Sequence, residues 1–169
     1  MPASLRAGIL AVFVLATAVA SARALQVAPL WDLGAGDASS QYGYDVAIDD
    51  VTGRVAMTGA FGGTVNFGGV NMTSAGANDV FIVVFEPDGS FLAQRQFGDT
   101  NNQYGFALDW SNDGDLFVTG YFAGVVNMGG GNLTATGSND IFLARYDYLL
   151  THIVSKRFGD ASAQYAFDL

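Results

Sequence analysis

The sequence predicts an all-β fold built from repeated sheets of four antiparallel strands. Three observations carry that prediction. A self-similar segment occurs twice and begins a third time; short Val-, Phe-, Thr- and Tyr-rich runs are separated by Gly, Asn and Asp turns; and no stretch after residue 24 has convincing helical periodicity.

The repeat is first visible in "QYGYDVAID" from Gln41, "QYGFALDW" from Gln103 and "QYAFDL" from Gln164. The first two glutamines are 62 residues apart and the last two 61. Sliding residues 54–99 by 61 onto residues 115–160 matches 17 of 46 positions without a gap. One residue was therefore gained or lost before the Gly53/Gly114 turn. The units run approximately over 41–102 and 103–163, and a third starts at 164.

Each unit divides into four strands. The Gln-Tyr phrase supplies the first. The second is "RVAMTG" or "LFVTG", each preceded by turn residues in "DDVTG" and "SNDG". The third is "DVFIVVF" or "DIFLARY", and the fourth "FLAQRQF" or "HIVSKRF". The unbroken apolar run from Val80 to Phe85 suits a strand covered on both faces. "YDYLLTHIV" could be written as a helix, but its counterpart "FEPDGSFLA" contains a turn. Four short strands per unit, with faces buried on neighbouring units, describe a β-propeller blade. About two and a third blades are present. A ring usually needs four to eight blades, so an incomplete propeller or a fragment of a longer chain is expected. Open blade edges would favour self-association.

The opening segment stands apart from the repeats. "MPASLRAG" carries one Arg, Ile9 to Ala20 is an apolar run, and Ala22-Arg23-Ala24 supplies small residues around a cleavage point. That order reads as a signal peptide over residues 1–24, cleaved after Ala24, with the partial propeller at 25–169. The apolar run is too short to span a bilayer comfortably, so no membrane span is expected in the mature chain. Secretion or cell-surface display follows. Without residues 1–24, five basic residues face 16 acidic ones, a balance that repels nucleic acid and anionic lipid. Cysteine is absent, so stability must come from packing; half of the residues are apolar and 13% aromatic, which is enough for a core.

The linked motifs resemble the bacterial β-propeller repeat known as the SBBP repeat, of the seven-bladed propeller type. Its "vtGxFxGtvdFgg" stretch is similar to residues 55–69 and 116–130. Its "DvFvakyd.dG" strand is similar to residues 79–89 and 140–150. Its "W.k.fGg" strand is similar to residues 31–36 and 154–159. "YDYLL" departs from the Asp-Gly turn, and Ala93 and Val154 stand where Trp31 opens the first occurrence. The resemblance implies export and a binding or adhesion role, with an unidentified protein or carbohydrate as partner. It supplies no catalytic residues and no cofactor.

Candidate sites follow from the loops. "GDASSQ", "GDTNNQ" and "GDASAQ" join one blade to the next, so Asp37, Asp99 and Asp160 with Gln41, Gln103 and Gln164 should recur around one rim. They either present ligand groups there or satisfy backbone groups in their own turns. His152 is the only histidine, and any nucleophile-His-acid set would have to use it; its repeat counterpart is Phe91. Asp49-Asp50 and Asp113-Gly114-Asp115 look like pieces of a calcium loop but lack the alternating ligands of an EF-hand. Asn71-Met72-Thr73 and Asn132-Leu133-Thr134 are glycosylation sequons by pattern. "MGGGN" lacks the Lys-Ser/Thr of a phosphate loop and reads as a plain loop. The resulting expectation is a non-enzymatic secreted module without metal or cofactor. The alternative is a fragment of an extracellular propeller hydrolase or lyase whose catalytic residues lie elsewhere.

Overall fold

A computed structural model describes residues 31–169. Residues 33–169 form one compact unit. The signal peptide and the cleavage point after Ala24 lie outside the described residues. Among those described, no helix is long and apolar enough to cross a membrane.

The chain forms two four-stranded antiparallel sheets, one from each repeat. In the first, β1 (Gln41–Ile48), β2 (Val55–Phe61), β5 (Asp79–Phe85) and β6 (Phe91–Phe97) lie in that order, and β3 (Thr64–Val65) with β4 (Met72–Thr73) makes a small separate hairpin. The second repeats the plan with β7 (Gln103–Trp110), β8 (Leu116–Phe122), β11 (Asp140–Tyr146) and β12 (His152–Phe158). Its hairpin is β9 (Val125–Asn127) and β10 (Asn132–Thr134). The described residues close neither a barrel nor a propeller ring. All four strands read from each repeat are present; the hairpins are additional to that reading. Residues 164–169 form no ladder of their own.

The sequence explains the details of each sheet. The first strand of each sheet, β1 and β7, carries a bulge, between Gly43 and Asp45 and between Gly105 and Ala107. The glycines there pair with Gly59 and Gly120. Side chains are absent at these crossings because the backbones approach closely: a Cβ on Gly120 would lie 1.9 Å from the Tyr104 carbonyl oxygen. Inside each sheet a threonine hydroxyl reinforces the ladder. Thr58 Oγ1 donates to Phe81 O at 2.8 Å and Thr119 Oγ1 to Phe142 O at 2.7 Å. "YDYLL" makes a tight turn like its Asp-Gly counterpart, with Leu150 at φ 59° where Gly89 has φ 83°.

The two sheets share one core. Val80, Ile82 and Val84 of β5, with Ala93 and Phe97 of β6, meet Leu108, Val118, Phe142, Ala144 and Tyr146 of the second sheet. The whole of β5 is buried, as its unbroken apolar run requires. Phe97 and Tyr146 stack across the junction with ring centroids 5.8 Å apart. The Tyr146 hydroxyl donates to Met128 O at 2.7 Å, so the buried phenol is satisfied, and burial pushes its pKa upward.

Candidate functional site

The loops that join the repeats form the same clasp three times. Gln41 Nε2 donates to Asp37 Oδ1 at 2.9 Å, Gln103 Nε2 to Asp99 Oδ1 at 2.7 Å and Gln164 Nε2 to Asp160 Oδ1 at 2.6 Å. Each Asp Oδ1 also accepts the backbone N–H two residues on, from Ser39, Asn101 or Ser162, at 2.7 Å in all three. The second oxygen reaches the hairpin of the following sheet: Thr64 N–H donates to Asp37 Oδ2 at 2.8 Å and Val125 N–H to Asp99 Oδ2 at 2.9 Å. Gln41 and Gln103 each donate to a carbonyl as well, Gly62 O and Ala123 O, both at 3.1 Å. Asp37 with Gln41 and Asp99 with Gln103 thus tie their loops to the sheets that follow, whereas Asp160 with Gln164 closes its own turn. An asparagine at position 99 would return only one of the two acceptors that Asp99 supplies, so the acid itself is required for the full set.

Protonation follows this geometry. The Thr64 N–H, then that of Ser39, holds Asp37 below the ordinary carboxylate value, and the Ser162 N–H does the same for Asp160. At Asp99 burial acts to raise the pKa but is outweighed by the donors from Val125, Asn101 and Gln103, so the net direction is down.

A second acidic pair is buried, and its two members differ in their partners. Asp79 and Asp140 open β5 and β11, are buried, and each retains one buried oxygen with no hydrogen-bond partner. Asp140 Oδ2 accepts from the Thr136 N–H at 3.0 Å and from the Arg157 guanidinium. In the first sheet Gln96 occupies the repeat position of Arg157 and donates instead to Thr73 O at 2.8 Å. Asp79 is left with the Ala75 N–H at 3.0 Å. Burial, with the nearby Asp99 charge, therefore raises the Asp79 pKa. Above the ordinary carboxylate range the folded state keeps a proton that the unfolded chain has released, so this group makes stability fall as pH rises towards its raised pKa. Relative to Asp79→Asn, the native protein is expected to lose stability progressively above about pH 4. Urea titrations of both proteins from pH 4 to 7 measure the difference; a native stability, taken minus that of the variant, that stays flat or rises with pH would contradict the assignment.

His152 fills a packing position. It lies against Gly129 and Gly130 as Phe91 lies against Gly68 and Gly69. Its Nε2 is 3.0 Å from Ser155 Oγ and its ring meets Tyr146 edge-on. The calcium-like fragments serve turns and ion pairs. Asp49 Oδ1 accepts from Val51 N–H at 3.0 Å and its Oδ2 from the Thr52 hydroxyl, while Asp115 pairs with Arg145. Among the described residues no three His, Asp or Glu side chains are placed to share an ion. Asn71 accepts from Asn66 Nδ2 at 2.7 Å inside its hairpin, and "MGGGN" forms the turn from β9 to β10.

The feature that sequence reasoning passed over is a band of aromatic rings running across β1, β7 and β8 to the segment at residues 165–167. Tyr44 lies 4.5 Å from Phe106 and Phe106 lies 5.0 Å from Phe167, one ring from each repeat. Beside this row Tyr104 lies 5.1 Å from Tyr121, and Tyr121 lies 4.8 Å from Tyr165. Tyr42 stacks on Tyr44 at 6.0 Å. Asn78 Nδ2 donates to the Tyr104 hydroxyl at 2.9 Å and Asn139 Nδ2 to that of Tyr165 at 3.1 Å, fixing the rings from the preceding repeat. Burial, then the neighbouring phenols, raises the pKa of Tyr44 and Tyr121. The signal was the second half of the Gln-Tyr-small-aromatic phrase, which marks the repeat as well as the ring positions.

No protein-family model matches the chain, and no curated protein is significantly similar to it.

Proposed function

We propose that the chain is an exported, non-enzymatic repeat module of the bacterial β-propeller type that its motifs resemble, acting as a binding or surface element. The observation that carries this reading is the use of the repeated polar residues. Asp37, Asp99 and Asp160 with their glutamines close the same loops in the same way, and His152 packs where the other repeat has Phe91. A catalytic centre requires a convergent, unrepeated arrangement of nucleophile, base and stabilising donors. Symmetric clasps instead support a scaffold whose function lies in its surface.

Export rests on Arg6, the apolar run Ile9 to Ala20 and Ala22-Arg23-Ala24. Expressed from its own start codon in a bacterial host, the protein should be recovered outside the cytoplasm with Leu25 as its first residue. N-terminal sequencing checks this, and a product that keeps Met1 in the cytoplasm would overturn the reading.

A further inference from the structure

The junction between the two sheets has two unlike sides, and each sheet also carries the side that the other one uses. One face of the first sheet, with Val80 and Ile82 of β5 and Ala93 and Phe97 of β6, packs on the Leu108, Val118 and Phe142 face of the second. The sheets meet face to face as separate ladders. One repeat further on, Ile141, Leu143, Val154 and Phe158 stand at the positions of Val80, Ile82, Ala93 and Phe97. The register is kept, since Ile141 lies opposite Phe158 as Val80 lies opposite Phe97. Ala93 and Phe97 are 8% and 7% exposed beneath the second sheet, whereas Val154 and Phe158 are 43% and 48% exposed. The reverse holds on the first sheet. Val46 of β1 stands at the repeat position of Leu108, yet it is 60% exposed where Leu108 is 4%, and Ile48 beyond it is exposed as well. Each sheet therefore leaves open the surface that the other buries.

We propose that these two open faces mate between copies of the chain, so that copies associate head to tail, the first sheet of one on the second sheet of the next. The occupant is a second copy because the chain itself displays the finished contact: equivalent positions of the same apolar character are joined in the junction between its own sheets. Stacked repeats use one kind of interface between all neighbours. A contact between unlike surfaces extends from copy to copy and stops when a ring closes. Four to eight sheets, the usual range, correspond to roughly two to four copies. Arg145 takes the position of Val84, but it is paired with Asp115 within its own sheet, so docking buries no lone charge. Residues 164–169 hold the place of the incoming β1: the Gln164 N–H donates to Asn139 O at 2.9 Å as the Gln103 N–H does to Asn78 O at 2.8 Å. They carry the phrase that opens β1 and form no ladder, so the β1 of the neighbour replaces them. The proposal goes beyond the reading of the chain as an exported binding module and depends on neither export nor a ligand.

Sedimentation velocity of the purified protein over a wide concentration range provides the test, with one variant for each face. The native protein should associate as its concentration rises. Val46→Asp on the first sheet and Val154→Asp on the second should each weaken association roughly tenfold or more, since each places a carboxylate in an apolar contact. An equimolar mixture of the two variants should pair again, because each retains the face that the other has lost, and growth should stop at the dimer. Ile48→Asp and Phe158→Asp give the same comparison at second positions, and unchanged thermal unfolding of dilute protein shows that the variants are folded. A native monomer at every concentration, native-like association by the folded single variants, or a mixture that pairs no better than its components would overturn the proposal. Export is measured separately by the mature N-terminus, so the two readings can fail independently.

Discussion

Phe142→Ala is expected to lose about 3–5 kcal/mol of stability, the usual cost of truncating a fully buried phenylalanine. The side chain is inaccessible and belongs to the cluster shared by both sheets. Its neighbours are poorly placed to collapse into the space. Gly120, its partner across β8 and β11, has no side chain to advance, and the Phe142 ring covers that glycine. The adjacent Val118, Ala144 and Tyr146 are held in ladder positions, and Tyr146 is anchored by its hydroxyl on Met128. The cavity should therefore stay largely open. Because Val80, Ile82 and Val84 of the first sheet contact the same cluster, the loss should appear as one cooperative transition displaced to lower urea, with Tm reduced by roughly 10 °C. A shift below about 1 kcal/mol, or two separate transitions, would show that the sheets do not share a core.

The strands of both sheets were legible because each has 7 or 8 residues and is bounded by a turn residue that the backbone needs. Repetition made the reading firmer, since an ambiguous segment in one unit could be judged by its counterpart. "YDYLLTHIV" was resolved this way, and its structure is a turn and a strand despite a leucine at positive φ. The hairpins were not legible. β3 and β4 have two residues each, too few to show a period, and they are separated by a Gly- and Asn-rich stretch that reads only as loop. The aromatic band was hidden for a different reason. Strict alternation would place Tyr42, Tyr44, Val46 and Ile48 on one face of β1. The bulge leaves Tyr44 without a partner across the ladder and shifts the register, so the aromatic and aliphatic halves of the strand no longer share a face. A bulge of this kind is fixed by backbone approach between glycines, which composition alone does not reveal. The Asp and Gln positions were legible as a recurring set, but their partners on the next hairpin were not, because those hairpins were themselves unseen.

Gly120→Ala is expected to destabilise the protein by about 3 kcal/mol or more, at the upper end of what a single added methyl does in a packed site. The argument concerns space. A methyl at position 120 would meet the Tyr104 carbonyl oxygen at 1.9 Å and the Tyr104 carbonyl carbon at 2.9 Å, both backbone atoms, and the Phe142 ring at 3.0 Å. Relief requires β7 to move away from β8. That movement is blocked, because the other side of β7 presses on the first sheet: Gly105 leaves room for only 2.4 Å between a Cβ and Thr58 Oγ1. The same crossing in the first repeat gives a comparison within the molecule. A methyl on Gly59 would meet the Tyr42 carbonyl oxygen at 1.8 Å, so the local clash is as severe. The strand that must yield there is β1, whose residues are mostly exposed. It can shift outward with less disruption, and Gly59→Ala should cost less than Gly120→Ala. Gly34→Ala, with nothing within 4 Å, should leave stability within about 0.5 kcal/mol of the native protein. Urea unfolding of the three variants ranks them directly. Equal losses at 59 and 120 would mean that β1 is held as firmly as β7, and a neutral Gly120→Ala would show that β7 can move away from β8 without breaking the sheet.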